Sequence, residues 1–338
     1  MKEELSARQL GVAAFTGLLA PATATAGLDW RGALLAVPVV LTAAGCWKAL
    51  SREGDWTDGW KGWWGKGLAS LYIMWAILLG GAVLGRAGAR MTVPVESGAG
   101  WVALLVWVPM AWLGLGRLGV FGRGAEIFYL GMLAALAFTL GFGAAQMEPG
   151  WLLKESGTFW KSLLCAAGTG CFGVMMPLLW ERKDGDGTRQ WFWWSGGFAL
   201  VTAAMSVVTN GVLSPMLAAE QERPFFIMTV GLGRTARVEG LVSSVWLLAD
   251  VTLVGMLLQC CQKLWNAVWE KRGSCCAWIC AFGILAVGVL LRDGEAAGVL
   301  LRGLLPVAGL VLGGVVPAAA CLAKRGGKRK LKKDEKRC

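Results

Sequence analysis

Residues 233–257, GRTARVEGLVSSVWLLADVTLVGML, place two arginines and a glutamate directly before a long apolar helix, with an aspartate, Asp250, near its middle. An apolar stretch of this length is typical of a membrane-spanning helix, because the hydrocarbon core takes about 20 helical residues to cross. A carboxylate inside such a helix is costly unless it faces the interior of a helix bundle. The segment therefore predicts a spanning helix within a bundle, in which Asp250 contacts another polar group.

The whole chain has the composition of a polytopic membrane protein. Hydrophobic residues make up 56% of its 338 residues and charged residues 16%, against roughly 25% charged residues in soluble domains. We therefore predict an all-α integral membrane protein, with a single transmembrane domain over 1–322 and a basic cytoplasmic tail over 323–338. The domain is predicted to contain ten spans, at 10–26, 31–50, 67–86, 99–118, 126–145, 160–179, 191–211, 239–260, 275–291 and 299–322.

The residue types that are missing exclude several chemistries. The sequence contains no histidine, so Ser-His and Cys-His nucleophile pairs and His-ligated zinc or haem cannot form. The ten cysteines include no CxxC spacing, which zinc ribbons and thioredoxin-type sites require. We expect no enzymatic activity, no cofactor and no metal site.

The distribution of basic residues predicts the orientation. With the N-terminus in the cytoplasm, 23 of the 33 Lys and Arg residues fall on the cytoplasmic side, as the positive-inside rule requires. Both termini are then cytoplasmic and the 146–159 connection is outside. The tail KRGGKRKLKKDEKR is expected to lie beside anionic lipid of the bilayer, not to bind nucleic acid. Ala22-Thr23-Ala24 resembles a signal-peptide cleavage site, but the two glutamates in MKEELSARQ favour a retained first span.

Glycine and proline mark two of the spans. In transporters built from inverted repeats, the binding site lies where corresponding helices of the two halves are interrupted. The first span contains TGLLAPATATAG, and the sixth, its counterpart in a five-plus-five repeat, contains CAAGTGCFGVMMP. An unwound backbone must face a cavity or a ligand, because lipid cannot satisfy it. The pattern predicts discontinuous helices 1 and 6, with close helix packing as the open alternative.

We expect one ligand pocket near the middle of the membrane, between these two helices and the third and eighth spans. Half-helix dipoles aimed into it suit the carboxylate of a small zwitterion. The sequence places no strongly basic residue in the pocket, which disfavours sugar phosphates and nucleotides. The predicted ligand-binding residues are Gly17, Leu18, Ala20, Pro21, Ala22, Thr23, Tyr72, Gly168, Thr169, Gly170, Gly173 and Ser243.

A polar seam follows the eighth span. Glu239 and Asp250 are eleven residues apart, which is three turns on one face and about 16 Å along the axis. Trp246 lies between them on that face. Asp250 is predicted to face the bundle, neutral or paired, and to act in coupling or signalling, and we give the same role to Arg237, Glu239 and Trp246. For Arg237 and Glu239, an ordinary interfacial role at the helix start is the favoured alternative.

The residues of this span, RVEGLVSSVWLLADVTLVGMLL at 237–258, resemble the R-x-E-x-x-x-x-x-x-W pattern of the B subunits of bacterial spore germinant receptors, the GerAB family. LSARQLGVAAFTGLLAP at 5–21 resembles the first span of that family, and LDWRGALLAV at 28–37 the entry to the second. GKGLASLYIMWAILLGG at 65–81 resembles the third span, and FGRGAEIFYLGM at 121–132 the link between the fourth and fifth. The resemblance covers most of the chain, in order.

This resemblance implies a member of the amino acid–polyamine–organocation superfamily with a five-plus-five inverted repeat. It implies a B-type subunit that binds a small nutrient, commonly an amino acid, in the spore inner membrane and triggers germination. Its implied partners are an A-type membrane subunit and a C-type lipoprotein. The open alternative is a proton-coupled amino acid permease of a bacterial cell membrane, in which Asp250 is the titrating group.

Overall fold

The structure is a computed structural model that describes residues 5–51, 62–91, 99–172, 187–232, 238–269, 274–292 and 295–322. Gly173, Arg237 and the 323–338 tail, which carry predictions, lie outside these residues. The described residues form helices α1 (Ala7–Thr25), α2 (Trp30–Ser51), α3 (Trp63–Met91), α4 (Ala99–Leu115), α5 (Leu118–Ala145), α6 (Pro149–Leu152), α7 (Phe159–Phe172), α8 (Gly187–Leu213), α9 (Pro215–Glu220), α10 (Pro224–Leu232), α11 (Val238–Trp269), α12 (Ser274–Leu290), α13 (Glu295–Leu301) and α14 (Leu304–Leu310).

Several helices have the length and composition needed to cross a membrane. Two shorter apolar helices, Leu104–Leu115 and Cys275–Leu290, accompany them. Each of the ten predicted spans overlaps a helix, and the chain is a multi-pass integral membrane protein, while the count of ten crossings stays a prediction. The six helices in the described residues that are long and apolar enough to cross are Trp30–Leu50, Trp63–Met91, Leu118–Ala145, Phe192–Leu213, Val242–Trp269 and Glu295–Leu322.

Helix α11 lies at the centre of the bundle, where it packs against α1, α3, α4, α5 and α12. Glycines allow the close approaches. A Cβ on Gly17 would lie 3.0 Å from the Cα of Leu253, and one on Gly114 would lie 3.0 Å from the Cα of Gly255. Small residues let helix backbones come together in this way, which gives van der Waals contact in place of a hydrophobic driving force.

Helix α1 is continuous, so the predicted interruption of the first span is wrong. It passes through Gly17 and Pro21 without a break. Proline removes one backbone N–H, but neighbouring helices and hydroxyl groups compensate for such a loss in a spanning helix. Here the hydroxyl of Thr23 donates to the carbonyl of Ala20 at 2.8 Å, and α5, α8 and α11 enclose the helix.

Helix α7 is also continuous, from Phe159 to Phe172, through both Gly168 and Gly170. A break at these two glycines is therefore wrong as well. Both positions face another helix at close range: a Cβ on Gly168 would overlap the carbonyl oxygen of Pro306, and one on Gly170 would overlap the side chain of Val40. The glycines are needed for helix contact, which was the alternative explanation.

The interruption lies instead in the tenth span, where it was not predicted. Helix α13 ends at Leu301 and α14 begins at Leu304, after a turn at Arg302 and Gly303. Pro306 explains the break, because a proline ring clashes with the carbonyl four residues earlier. That carbonyl, of Arg302, instead accepts a hydrogen bond from the thiol of Cys165 at 3.1 Å.

Beyond α14 the helix widens into a π-helical turn at Val311–Val315 and then continues to residue 322. Two aromatic side chains donate to carbonyls of this turn. The hydroxyl of Tyr72 donates to Leu312 at 2.6 Å, and the indole of Trp47 donates to Gly313 at 2.9 Å. Helices α2 and α3 therefore hold the turn from two sides.

Candidate functional site

A small cavity lies between α1, α3, α7 and the interrupted tenth span. The volume open to the centre of a water molecule is about 10 Å³, which is room for one water. The structure thus brings together three of the predicted ligand residues, two from α7 and one from α1, with residues of α13 and α14 that were not predicted. The lining residues are Pro21, Trp75, Leu79, Gly168, Thr169, Leu301, Leu305 and Pro306.

Backbone contact between α7 and α14 sets the width of this cavity. Gly168 lies against the carbonyl oxygen of Pro306, and a Cβ on Gly309 would lie 2.7 Å from the carbonyl oxygen of Gly168. The indole of Trp75 donates to the carbonyl of Leu305 at 3.2 Å, which ties α3 to the start of α14. Widening the cavity therefore requires α14 to move away from α7.

The other predicted residues of α1 lie in the core of the helix bundle and do not line the cavity. Leu18, Ala20 and Ala22 are buried in the main hydrophobic cluster. Gly17 faces the backbone of Leu253 on α11. These residues fix the position of α1, and Pro21 alone reaches the cavity from this helix.

Three predicted residues on other helices also lie away from the cavity lining. Tyr72 is buried and its hydroxyl is used by the carbonyl of Leu312. Gly170 faces Val40 on α2, and Ser243 is half-buried on α11. On α3, the cavity is lined by Trp75 and Leu79, one and two turns beyond Tyr72.

Asp250 is paired, which confirms the prediction that it would be neutral or paired. Its carboxylate forms a buried ion pair with Arg90 in the last turn of α3. The indole of Trp246, one turn earlier on α11, donates to the carbonyl of Leu19 at 3.3 Å. Glu239 lies in the first turn of α11. The partner of Asp250 was missed because the third span was expected to end at residue 86, whereas α3 continues to 91.

Three arginines, Arg86, Arg223 and Arg302, donate hydrogen bonds near the C-terminal ends of α1 and α3. Arg302 donates to the carbonyl of Ala24 at the end of α1 at 2.7 Å, and to the carbonyl of Glu222 at 2.9 Å. A cation suits this position, because the C-terminal end of a helix dipole is negative. Arg223 donates to the carbonyl of Ala89 at 3.1 Å. Burial lowers the pKa of Arg223, and the carboxylate of Glu222 opposes that effect.

Arg86 corrects the expectation that no basic residue lies near the predicted pocket. Its guanidinium donates to the hydroxyl of Thr23 at 3.4 Å and to the carbonyl of Glu222 at 3.3 Å. Thr23 is two residues beyond Pro21, which lines the cavity. The sequence signal was the pair Arg86 and Arg90, whose spacing of four residues places both on one helix face.

Within the described ranges, no group of three or more Cys, Asp or Glu side chains is arranged to hold a metal ion. The cavity walls are apolar except for Thr169. A ligand would therefore meet apolar side chains, one hydroxyl group and, close by, the arginines. Such a lining suits a small organic molecule with an apolar part.

Comparison with known proteins finds a similar structure but no similar sequence. No protein-family model matches the sequence, and no curated protein matches it. The structure is similar to the crystal structure of MhsT in complex with L-phenylalanine, with a TM-score of 0.59 and 14% sequence identity. The match covers 92% of this chain and 89% of that chain. The chain therefore has the same overall fold as that protein.

Proposed function

We propose that this chain binds a small amino acid inside the membrane, in the cavity between α1, α3, α7 and the interrupted tenth span. We further propose that it does so as the B-type subunit of a spore germinant receptor, and not as an enzyme. One observation carries the binding role: a cavity at a helix interruption, in a fold similar to that of a protein solved with L-phenylalanine bound. Interrupted helices are where transporter folds hold their ligands.

The lining offers what a short apolar side chain needs. Trp75, Leu79, Leu301 and Leu305 form apolar walls, and Thr169 adds a hydroxyl. An amino acid is larger than one water, so binding requires α13 and α14 to move relative to α7. The turn at Arg302 and Gly303, between α13 and α14, is the natural hinge for this motion, because a few residues at the ends of elements can absorb such a change in backbone angles.

The receptor role is supported by the ordered sequence resemblance to the GerAB family, described above. On this proposal the chain works in the spore inner membrane with an A-type membrane subunit and a C-type lipoprotein. Ligand binding then changes the helix arrangement that those partners contact, and no net transport is needed.

The alternative is a proton-coupled amino acid permease, which is supported by the similarity to a protein solved with L-phenylalanine bound. Its sequence-based candidate for the proton carrier was Asp250. In the structure that carboxylate is held by Arg90, so a carrier role would require the buried pair to break in each cycle. Breaking a buried ion pair is costly, and this observation favours the receptor.

Ligand binding tests the site directly. The purified chain in lipid nanodiscs is titrated with the common L-amino acids, and the best binder is then used with two variants. Leu305→Phe fills the cavity from a residue that is 2% exposed, whereas Leu304→Phe adds the same ring at a position that is 60% exposed. We expect Leu305→Phe to weaken binding at least about tenfold, by steric exclusion, and Leu304→Phe to leave it unchanged.

Equal binding by Leu305→Phe and wild type would place the ligand elsewhere. Two further experiments separate receptor from permease. Co-purification of the chain with A-type and C-type subunits encoded beside it supports the receptor. Concentrative uptake of the labelled ligand into proteoliposomes that contain this chain alone would overturn the receptor proposal in favour of the permease.

A further inference from the structure

Two arginines of α3 are buried one helical turn apart. Arg86 is 4% exposed and Arg90 is 7% exposed, and their spacing of four residues puts both guanidinium groups on one face. Like charges at this spacing repel each other, and burial strengthens the effect. Among the described residues, Asp250 is the one buried acid that pairs with them, and it pairs with Arg90.

The second positive charge has neutral partners. Arg86 donates to the hydroxyl of Thr23 at 3.4 Å and to the carbonyl of Glu222 at 3.3 Å. Both distances are at the long end for a hydrogen bond. An arginine presents five donors, and these two contacts within the described residues use two of them.

Arg90 also carries an unused donor. Its Nε is buried and has no hydrogen-bond partner among the described residues, although Nη2 reaches Asp250. Buried polar groups of proteins nearly always have a partner, so an exception calls for an acceptor such as a bound ion or ligand. A single anion near both side chains would balance the second charge and satisfy this donor.

Arg86 lies near the cavity, and Arg90 lies one helical turn further along α3. Arg86 is seven residues beyond Leu79, which is about 10 Å along the helix axis. Helical side chains lean toward the N-terminus, so the guanidinium reaches back toward the cavity, and its contact with Thr23 places it two residues from the cavity residue Pro21. An anionic group at the arginines and an apolar group among the cavity walls can therefore belong to one molecule.

We propose that Arg86, together with Nε of Arg90, receives the carboxylate of the ligand, so that the site selects small amino acids by their carboxylate while the side chain enters the cavity. This inference rests on the proposed amino acid binding. A carboxylate matches the two-pronged face of a guanidinium. Of Arg86, Arg90 and Asp250, one positive charge is left over, which one carboxylate balances. Arg223, Arg302 and the carboxylate of Glu222 lie close enough to add their own charges.

The test compares each ligand with its amide. The full chain in nanodiscs is screened with the common L-amino acids, and the best binder is then compared with its primary amide, which keeps the ammonium and side chain but lacks the carboxylate. We expect wild type to prefer the acid by about ten- to a hundredfold, as for hydrogen bonds to charged groups. In Arg86→Gln that preference should fall to within about threefold.

Arg223→Gln is the matched control, because the side chain of Arg223 donates to the backbone carbonyl of Ala89 and does not line the cavity. Its preference for the acid should stay as in wild type, even if its stability falls. If Arg86→Gln does not fold, Arg86→Lys keeps the charge without the two-pronged face, and its preference for the acid should fall below that of wild type.

The outcomes separate the two proposals. If wild type binds no amino acid, the proposed function fails and this inference fails with it. If wild type binds but the acid preference is the same in the Arg86 variant, this inference alone is overturned.

Discussion

Replacing Asp250 by asparagine should destabilise the protein by about 3 kcal/mol. The change leaves Arg90 charged in a place where both side chains are 3% exposed. Removing one partner of a buried ion pair costs about 3–5 kcal/mol. Arg90 lies in the last turn of α3, and the amide oxygen of asparagine still accepts one hydrogen bond, so we expect the lower end of this range.

A double-mutant cycle measures the effect without assuming this figure. The four proteins are wild type, Asp250→Asn, Arg90→Gln and the double variant, each unfolded by heat or denaturant in the same lipid and at the same pH. Removing both charges leaves no unpaired ion at this position, so the double variant should be more stable than Asp250→Asn alone. We expect a coupling energy of about 2–4 kcal/mol, because much of the cost of each single change is the charge left behind.

Additivity of the two changes would refute the reasoning. If the double variant loses the sum of the two single losses to within about 0.5 kcal/mol, Asp250 and Arg90 do not interact in the folded protein. The pairing would then contribute nothing to stability, and the argument that it opposes a proton-carrier role for Asp250 would fall with it.

Two more predictions concern helix packing and orientation. Gly168→Ala should destabilise the protein, because its Cβ would overlap a carbonyl of α14. The control Gly141→Ala has no neighbour within 4 Å and should be neutral or slightly stabilising, as expected for a helical glycine. Equal melting temperatures of the two variants would contradict the close α7–α14 contact. Reporter fusions after residues 150 and 322 should report opposite sides of the membrane, because the basic residues favour cytoplasmic termini; matching signals would rule out that orientation.

The helices and the pairing of Asp250 could be predicted because their causes are local. Apolar runs of sufficient length form helices wherever lipid or protein surrounds them. A carboxylate in such a run must find a partner, whatever the rest of the fold is. The identity of the partner could not be predicted from the local sequence, because Arg90 is separated from Asp250 by 160 residues. Arg90 also lies beyond the residue at which hydropathy alone ends the third span.

The interrupted helix could not be predicted, because prolines stand within several apolar segments and most of them do not break the helix. Pro21 and Pro306 both have alanine and glycine within four positions. The difference is in the surroundings: α5, α8 and α11 enclose the helix that contains Pro21, whereas the carbonyl that Pro306 displaces finds the thiol of Cys165 on another helix. Which proline breaks its helix is therefore decided by contacts that are distant in sequence.

The contact between α7 and α14 links the cavity to the C-terminal ends of α1 and α3. A ligand larger than water must separate α14 from α7, since their backbones touch at Gly168. The turn that would absorb this motion carries Arg302, which holds the end of α1 and the connection between α9 and α10 through the carbonyls of Ala24 and Glu222. Glu222 also accepts from Arg86. On the proposed function, a ligand in the cavity therefore strains a set of hydrogen bonds at the end where α1 and α3 finish, and a subunit in contact with α9 and α10 would sense its arrival.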